Sequence, residues 1–260
     1  MELLVIGTAA LLAATLTFFS GFGVGTLMTP VFALFFPLPL AIAATAVVHV
    51  VNNLFKLGLT VRDASWRVVA AFGIPAMLAA FAGAGLLQSI SGVRPWFSYT
   101  VAGRELAVAP LNVVIGLLIA AFALLELWPR FQALAVAPRW LPVGGLLSGF
   151  FGGLSGHQGA FRSAFLLKTG LPKQAFIATG IVCAVIVDAA RLSIYGSGLL
   201  ASGSGPDGPL LWPVLVGTLC ACAGSLLGRR LLKKVTMSAV RLTVSMMMLV
   251  IGLGLMSGWI

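Results

Sequence analysis

Four residues within the stretch at 148–168, SGFFGGLSGHQGAFRSAFLLK, have side chains suited to holding an anion or moving a proton: Ser155, His157, Gln158 and Arg162. Glycines at 149, 152, 153 and 156 surround them. Ser155-Gly156-His157-Gln158 has the spacing of a capping box, in which the serine hydroxyl accepts from a backbone N–H and the glutamine reaches back to the cap. A helix is therefore predicted to start here. Upstream, SGFGVGTLMTP at 20–30 offers a weaker counterpart in Thr26-Leu27-Met28-Thr29, with Pro30 in the first turn, where proline is tolerated. Free N–H groups and the dipole at such starts attract an anion. Gly21, Gly23, Gly25 and the glycines of the second stretch would let it approach the backbone.

A second group lies between the two stretches. Thr45, His49, Asn52, Asn53 and Lys56 fall at i, i+4, i+7, i+8 and i+11, one polar stripe along a helix. Its later counterpart carries Asp188 and Arg191 one turn apart, expected as a structural ion pair near the outer interface. The candidate substrate contacts are Gly23, Gly25, Thr26, His49, Asn52, Asn53, Ser155, Gly156, His157, Gln158 and Arg162. Blander readings stand beside them: glycines that only let helices pack closely, and a Lys56 that snorkels to the surface.

Chemistry of another kind is also legible. Gly153-Leu154-Ser155-Gly156 matches the GxSG of rhomboid intramembrane proteases, and His49 with Asn53 imitates that family's polar pair. A serine nucleophile needs a base within hydrogen-bond reach. The chain has two histidines, neither downstream of Ser155 except His157 itself, and i, i+2 on a helix points the two side chains apart. No catalytic residue is assigned, and a membrane hydrolase using Ser155 is kept as the alternative, as is a permease for a different solute.

What must position these residues is a membrane bundle. Of the 260 residues, 60% are hydrophobic and 8% charged, and mean hydropathy is +1.10, which no water-soluble core of this length could hide. Apolar runs such as 3–19, 109–125 and 244–255 approach the length needed to cross a bilayer. The opening Met-Glu-Leu-Leu lacks the basic region of a signal peptide, so the first segment is expected to be retained. Cys183, Cys220 and Cys222 all fall in apolar runs and read as packing residues, not ligands. The formal charge of +10 is scattered over short loops with no basic, aromatic-interleaved stretch, which argues against nucleic acid. Neither a metal nor a cofactor is expected.

The two glycine-rich stretches open two copies of one pattern. Each is followed by a Leu-Pro, at 38–39 and 171–172, then by AATAVVHVVNNLFK (43–56) or IATGIVCAVIVDAAR (177–191). Small-residue segments follow at 80–85 and 221–228, and each copy closes on an apolar run ending at Trp128 or Trp259. The expected fold is all-α and polytopic: repeat 1 over 1–128, a cytoplasmic linker at 129–139 and repeat 2 over 140–260. Each repeat has a Gly-broken short-helix pair and three full helices. If each broken pair returns to its own side, the copies are inverted, as in many secondary transporters. Arg62, Arg67, Arg130, Arg139, Lys168, Lys173, Arg229, Arg230, Lys233 and Lys234 then share one side, the cytoplasmic one, leaving Arg94 and Arg104 outside with both termini. Trp66, Trp128 and Trp140 fall at the inner interface; Trp96, Trp212 and Trp259 fall at the outer.

With "AVVHVVNNLFK" between them, the two breaks resemble the TauE/SafE sulfite-exporter family, also called the toluene-sulfonate uptake group of anion transporters, over essentially the whole chain. The resemblance implies a multi-pass permease of the cell (cytoplasmic, inner) membrane for sulfite, organosulfonates or related small sulfur-containing anions, held between the repeats. Met28 stands where the second copy has His157, which departs from a symmetric pair of binding groups. The partners implied are the anion and the lipid bilayer; a homo-oligomer is left open. An inside-negative potential favours anion efflux by about 2.3 kcal/mol per charge per 100 mV, so export by a potential-driven uniport is the expectation.

Overall fold

The computed structural model describes residues 1–17, 24–201, 208–231 and 237–260. α1 (Glu2–Thr17) and α2 (Val24–Ala33) flank the first glycine-rich stretch, and α3 (Leu38–Thr60), α4 (Trp66–Ser91) and α5 (Pro110–Leu127) follow. A short α6 (Pro129–Gln132) begins the linker. Then come α7 (Leu141–Ser155), α8 (Gly159–Leu166), α9 (Lys173–Ala201), α10 (Leu211–Leu231) and α11 (Met237–Ser257). Among the described residues, five apolar segments are long enough to cross a membrane: Leu38–Gly58, Trp66–Ser91, Pro110–Leu127, Lys173–Gly196 and Leu211–Gly228. The chain is an all-α polytopic membrane protein, as its hydropathy predicts.

Prolines mark several starts. Pro39, Pro110 and Pro142 lie in the first turns of α3, α5 and α7, where a missing N–H costs no helical bond. Pro30 differs from expectation. Because α2 already runs from Val24, Pro30 lies inside the helix and deprives the Thr26 carbonyl of its usual donor.

One element was not predicted. Between α4 and α5, β1 (Phe97–Val101) pairs antiparallel with β2 (Arg104–Val108), with Phe97 opposite Val108 and Val101 opposite Arg104. The two-residue turn has positive φ at Ala102 (50°) and Gly103 (77°), which matches the right-handed twist of a hairpin. Tyr99 Oη on β1 donates to Ser257 O at 2.5 Å and fastens the hairpin to the end of α11.

Helices from the two halves interlock. α1 packs on α10 and α7 on α4; α3 packs on α10 and on α9, and α9 packs on α4 as well; α5 pairs with α11. Glycine sets how close they come. Gly145, Gly149 and Gly153 form one ridge of α7, and a Cβ on each would collide with the backbone of Phe72, Ala76 and Ala80 on α4. Gly224 of α10 meets Leu11 O of α1 in the same way. On α5 a Cβ at Gly116 would stand 2.6 Å from Gly252 O of α11. This is small-residue helix packing, which close backbone approach makes possible in lipid. Gly149 and Gly153 are therefore filled by a neighbouring helix and offer no room to a ligand.

The bundle has two ends. At one, Ser65 N donates to Thr179 Oγ1 at 2.9 Å and Val136 N to Ala164 O at 3.1 Å, gathering the α3–α4 turn, the linker and the α8–α9 turn. Arg62, Arg67, Arg130, Arg139, Lys168 and Lys173 belong to these segments. The other end holds the hairpin and the α2–α3 turn. All six tryptophans are roughly half exposed or more and sit at or just beyond helix ends. A cavity of about 330 Å³ opens at the hairpin end between Phe36, Pro37, Val93, Leu111 and Asn112.

Candidate functional site

The second break is built around Gly156. α7 ends at Ser155, and Gly156 closes it in the left-handed region at φ 85°, donating its N–H to Gly152 O at 3.0 Å. A side chain would be strained there by the backbone, and its Cβ would stand 2.9 Å from Arg191 Nη1, which would have to shift. α8 then starts at Gly159. The capping box predicted over 155–158 does not form, since those residues span the end of one helix and the start of the next. Ser155 Oγ instead donates back to Phe151 O at 3.1 Å, and Ser148 Oγ holds the Gln158 carbonyl at 2.8 Å. The counterpart at 26–29 is no cap either: Thr29 Oγ1 donates to Gly25 O at 3.2 Å within α2.

What completes the break comes from α9. Asp188 Oδ1 accepts from Gln158 Nε2 at 3.1 Å and from Arg191 Nε at 3.0 Å, with Arg191 Nη2 at 2.8 Å. Its Oδ2 lies 2.7 Å from His49 Nδ1 of α3. Arg191 Nη1 also reaches Gly152 O at 3.4 Å, placing a cation at the carbonyl end of α7, and Tyr195 Oη donates to Gly153 O. The Asp188–Arg191 pair was expected near the outer interface. It lies midway along α9 with both side chains fully buried, because an interrupted helix needs polar partners at the depth of the interruption.

The stripe on α3 faces this cluster. Asn53 Nδ2 stands 3.2 Å from His49 Nε2. With its amide oxygen turned to Lys56, Asn52 meets Lys56 Nζ at 3.2 Å, Ser225 Oγ at 2.7 Å and Ala221 O at 3.1 Å. Lys56 is 5% exposed, so it is enclosed by protein and does not snorkel to the surface. Arg162 Nη1 donates to Gln158 Oε1 at 3.1 Å, and Arg162 and Lys56 are near enough to repel one another. Gly25 approaches from α2, where a Cβ would lie 3.6 Å from both Gly156 O and the His49 ring.

The structure thus brings Gly25, His49, Asn53, Gly156, Gln158, Arg162, Asp188 and Arg191 together, with Asn52 and Lys56 beside them. It sets Ser155 and His157 apart. His157 Nδ1 lies 3.1 Å from both Ser155 O and Ser155 Oγ, while its ring stacks on Phe122 of α5 at 5.2 Å and 14°. Spacing alone predicted that serine and histidine would point apart. That holds for a continuous helix and fails here because α7 stops at Ser155. Both residues are buried, His157 against Phe122, and Ser155 Oγ lies 3.1 Å from both Phe151 O and His157 Nδ1. Thr26 is buried in the first turn of α2. Gly21 and Gly23 lie outside the described residues.

Sequence reasoning missed Ser225, Tyr195 and Ser148, each a hydroxyl in an apolar helix that turns out to hold a break residue or a stripe residue. A hydroxyl in such a run was the available signal. Among the described residues, no group of three His, Cys, Asp or Glu stands together as metal ligands. The cavity at the hairpin end lies at the far end of α2, about 12 Å of helix from Gly25, and is not the place of this chemistry.

Charge decides what such a site would hold. Lys56, Arg162, Asp188 and Arg191 are all buried, with Arg191 in direct contact with the carboxylate. Glu2 on α1, Asp63 before α4 and Glu105 on β2 are exposed, and Glu126 is buried near the linker end of α5. Ionisable groups buried in a membrane bundle are costly and commonly line a pathway. Among known proteins, a family model described as Sulfite exporter TauE/SafE matches residues 6–255. No curated protein matches the chain.

Proposed function

Since the chain belongs to the sulfite exporter TauE/SafE family, a transporter family and not an enzyme family, we propose that it exports a small sulfur oxyanion held where α3, α8 and α9 meet. The observation that carries this reading is the cluster of buried polar and charged side chains, Gln158, Arg162, Asp188 and Arg191, linked to one another at an interrupted helix. The contacts we assign are Arg162 and Lys56 for charge, Asn52, Asn53 and Gln158 as amide donors, and His49 with the Gly25 and Gly156 backbone as walls. Lys56 is added on its burial. Guanidinium and amide donors together suit the several acceptor oxygens of sulfite or a sulfonate.

Interlocking of the halves supports the inverted-repeat mechanism. Exchanging the copies maps the α1–α10 contact onto α7–α4 and the α3–α10 contact onto α9–α4, while α3–α9 and α5–α11 map onto themselves. A two-fold axis through such a set would pass beside the His49–Asp188 contact, where rocking of one half on the other would alternate access. We place the basic end in the cytoplasm of a cell membrane, so that it concentrates anions at the inner mouth.

Proteoliposomes containing the purified chain test the reading. An imposed potential that favours anion entry should drive uptake of sulfite or methanesulfonate with no pH gradient. Equal uptake by protein-free liposomes refutes the carrier. Transport that follows a pH gradient at zero potential, and loses that dependence in His49→Ala, replaces the uniport with proton coupling.

A further inference from the structure

The donors around Asp188 form an oxyanion receptor that is already filled. Oδ1 takes Gln158 Nε2 at 3.1 Å and Arg191 Nε at 3.0 Å, with Arg191 Nη2 at 2.8 Å; Oδ2 takes the His49 ring nitrogen at 2.7 Å. An amide, a guanidinium and an imidazole are the groups a sulfur oxyanion would seek, and a carboxylate offers them the same acceptor chemistry. Two of them, His49 and Gln158, are also residues the proposed carrier uses. An N–H committed to a carboxylate oxygen is not free for a second strong bond, and the carboxylate and the substrate carry charge of the same sign.

Resting on the carrier reading above, we infer that Asp188 holds these donors until substrate arrives and that substrate binding is an exchange. The arriving oxyanion draws Gln158 and His49 away from the carboxylate while Arg191 keeps hold of it; release is completed when they return. Gln158 immediately precedes α8, and its bond to Asp188 is a tie between the short helix and α9. Losing that tie frees α8 to shift against α9 only when an anion is present, which is the kind of two-position element that coupled transport requires. Repulsion from Asp188 also keeps the hold on substrate loose enough for it to leave.

Asp188→Asn keeps the shape of the side chain and removes its charge. In the full-length protein in detergent, titrated separately with sulfite and with methanesulfonate, the variant should bind at least about tenfold more tightly than the parent, as loss of one repelling charge at close range implies. In proteoliposomes its maximal rate should fall, because the return of the carboxylate no longer expels the anion. Unchanged or weaker binding in Asp188→Asn, with the parent binding normally, overturns the inference and leaves the carrier reading standing. Failure of the parent itself to bind or carry either probe overturns the carrier reading. Should Asp188→Asn not fold, infrared difference spectra of the parent decide. The chain has six acidic residues, and among the described ones only Glu126 and Asp188 are buried. Saturating sulfite should shift a buried carboxylate stretch; an unshifted spectrum at saturation refutes the exchange.

Discussion

Replacing Arg191 by methionine separates the Asp188–Arg191 pair with little change of volume, and its cost follows from the geometry. With 2.8 Å between Arg191 Nη2 and Asp188 Oδ1, the Coulomb attraction is ~6 kcal/mol at an effective dielectric of about 20. His49 and Gln158 remain to hold the carboxylate, so the loss is smaller than the full attraction. Removing one partner of a buried pair typically costs about 3–5 kcal/mol, and Arg191→Met is expected within that range. The double variant Asp188→Asn/Arg191→Met leaves no charge stranded and should regain most of the lost stability. The assay is unfolding of the purified chain in mild detergent, followed by loss of helical circular dichroism. A single variant destabilised by less than about 1 kcal/mol, or a double variant no more stable than Arg191→Met, refutes the claim that the pair is an energetic pin of the break.

Other predictions rest on packing and placement. Gly149→Leu should separate α7 from α4 and cost about 1–3 kcal/mol or prevent folding altogether, seen as a lowered unfolding midpoint; a variant as stable as the parent would deny the glycine ridge. Gly156→Ala should destabilise by about 1–2 kcal/mol from its left-handed backbone alone and should slow sulfite transport as well, because the added methyl pushes on Arg191. Arg162→Met should raise the sulfite concentration needed for half-maximal transport while leaving expression near that of the parent; unchanged affinity would remove Arg162 from the site. In a cysteine-free background, an impermeant thiol reagent applied to intact cells should label Ser98→Cys on β1 and spare Ala133→Cys after α6; the opposite pattern reverses the orientation.

The order of the long helices was legible in the sequence because hydropathy over a span depends on local composition alone, whereas α6 was not expected and five described segments, not six, reach spanning length. The interruption was legible too, but not its meaning. Glycine appears in the second break for two reasons that a linear reading merges: Gly145, Gly149 and Gly153 recur every four residues because one face of α7 lies on α4, whereas Gly156 is there for its backbone conformation. The four-residue spacing was the available clue. His157 was misjudged because the direction of a side chain after a helix end depends on the single residue at which the helix stops. The placement of Asp188 could not be read at all, since its contact with His49 is made between helices far apart in sequence. The hairpin at 97–108 was visible in the alternation of Phe97, Tyr99 and Val101 with Ser98 and Thr100, followed by a glycine, but the surrounding oiliness concealed it.

The partnership of α1 with α10 has a consequence for how the protein is made. At ribosomal speeds of about 5–20 residues per second, α1 leaves the ribosome on the order of ten seconds or more before α10 does. In that interval the face of α1 that ends against α10, where Gly7 meets Val216 and where Leu11 and Ala14 meet Gly224, has only lipid or a transient escort to cover it. The first half cannot mature by itself, since the helix that should seat α1 is encoded far downstream of it. A ribosome stalled between α9 and α10 should therefore leave a nascent chain whose first helix stays within reach of lipid-phase crosslinkers and of membrane proteases. Once α10 has emerged and docked, crosslinking from Ala14 should disappear.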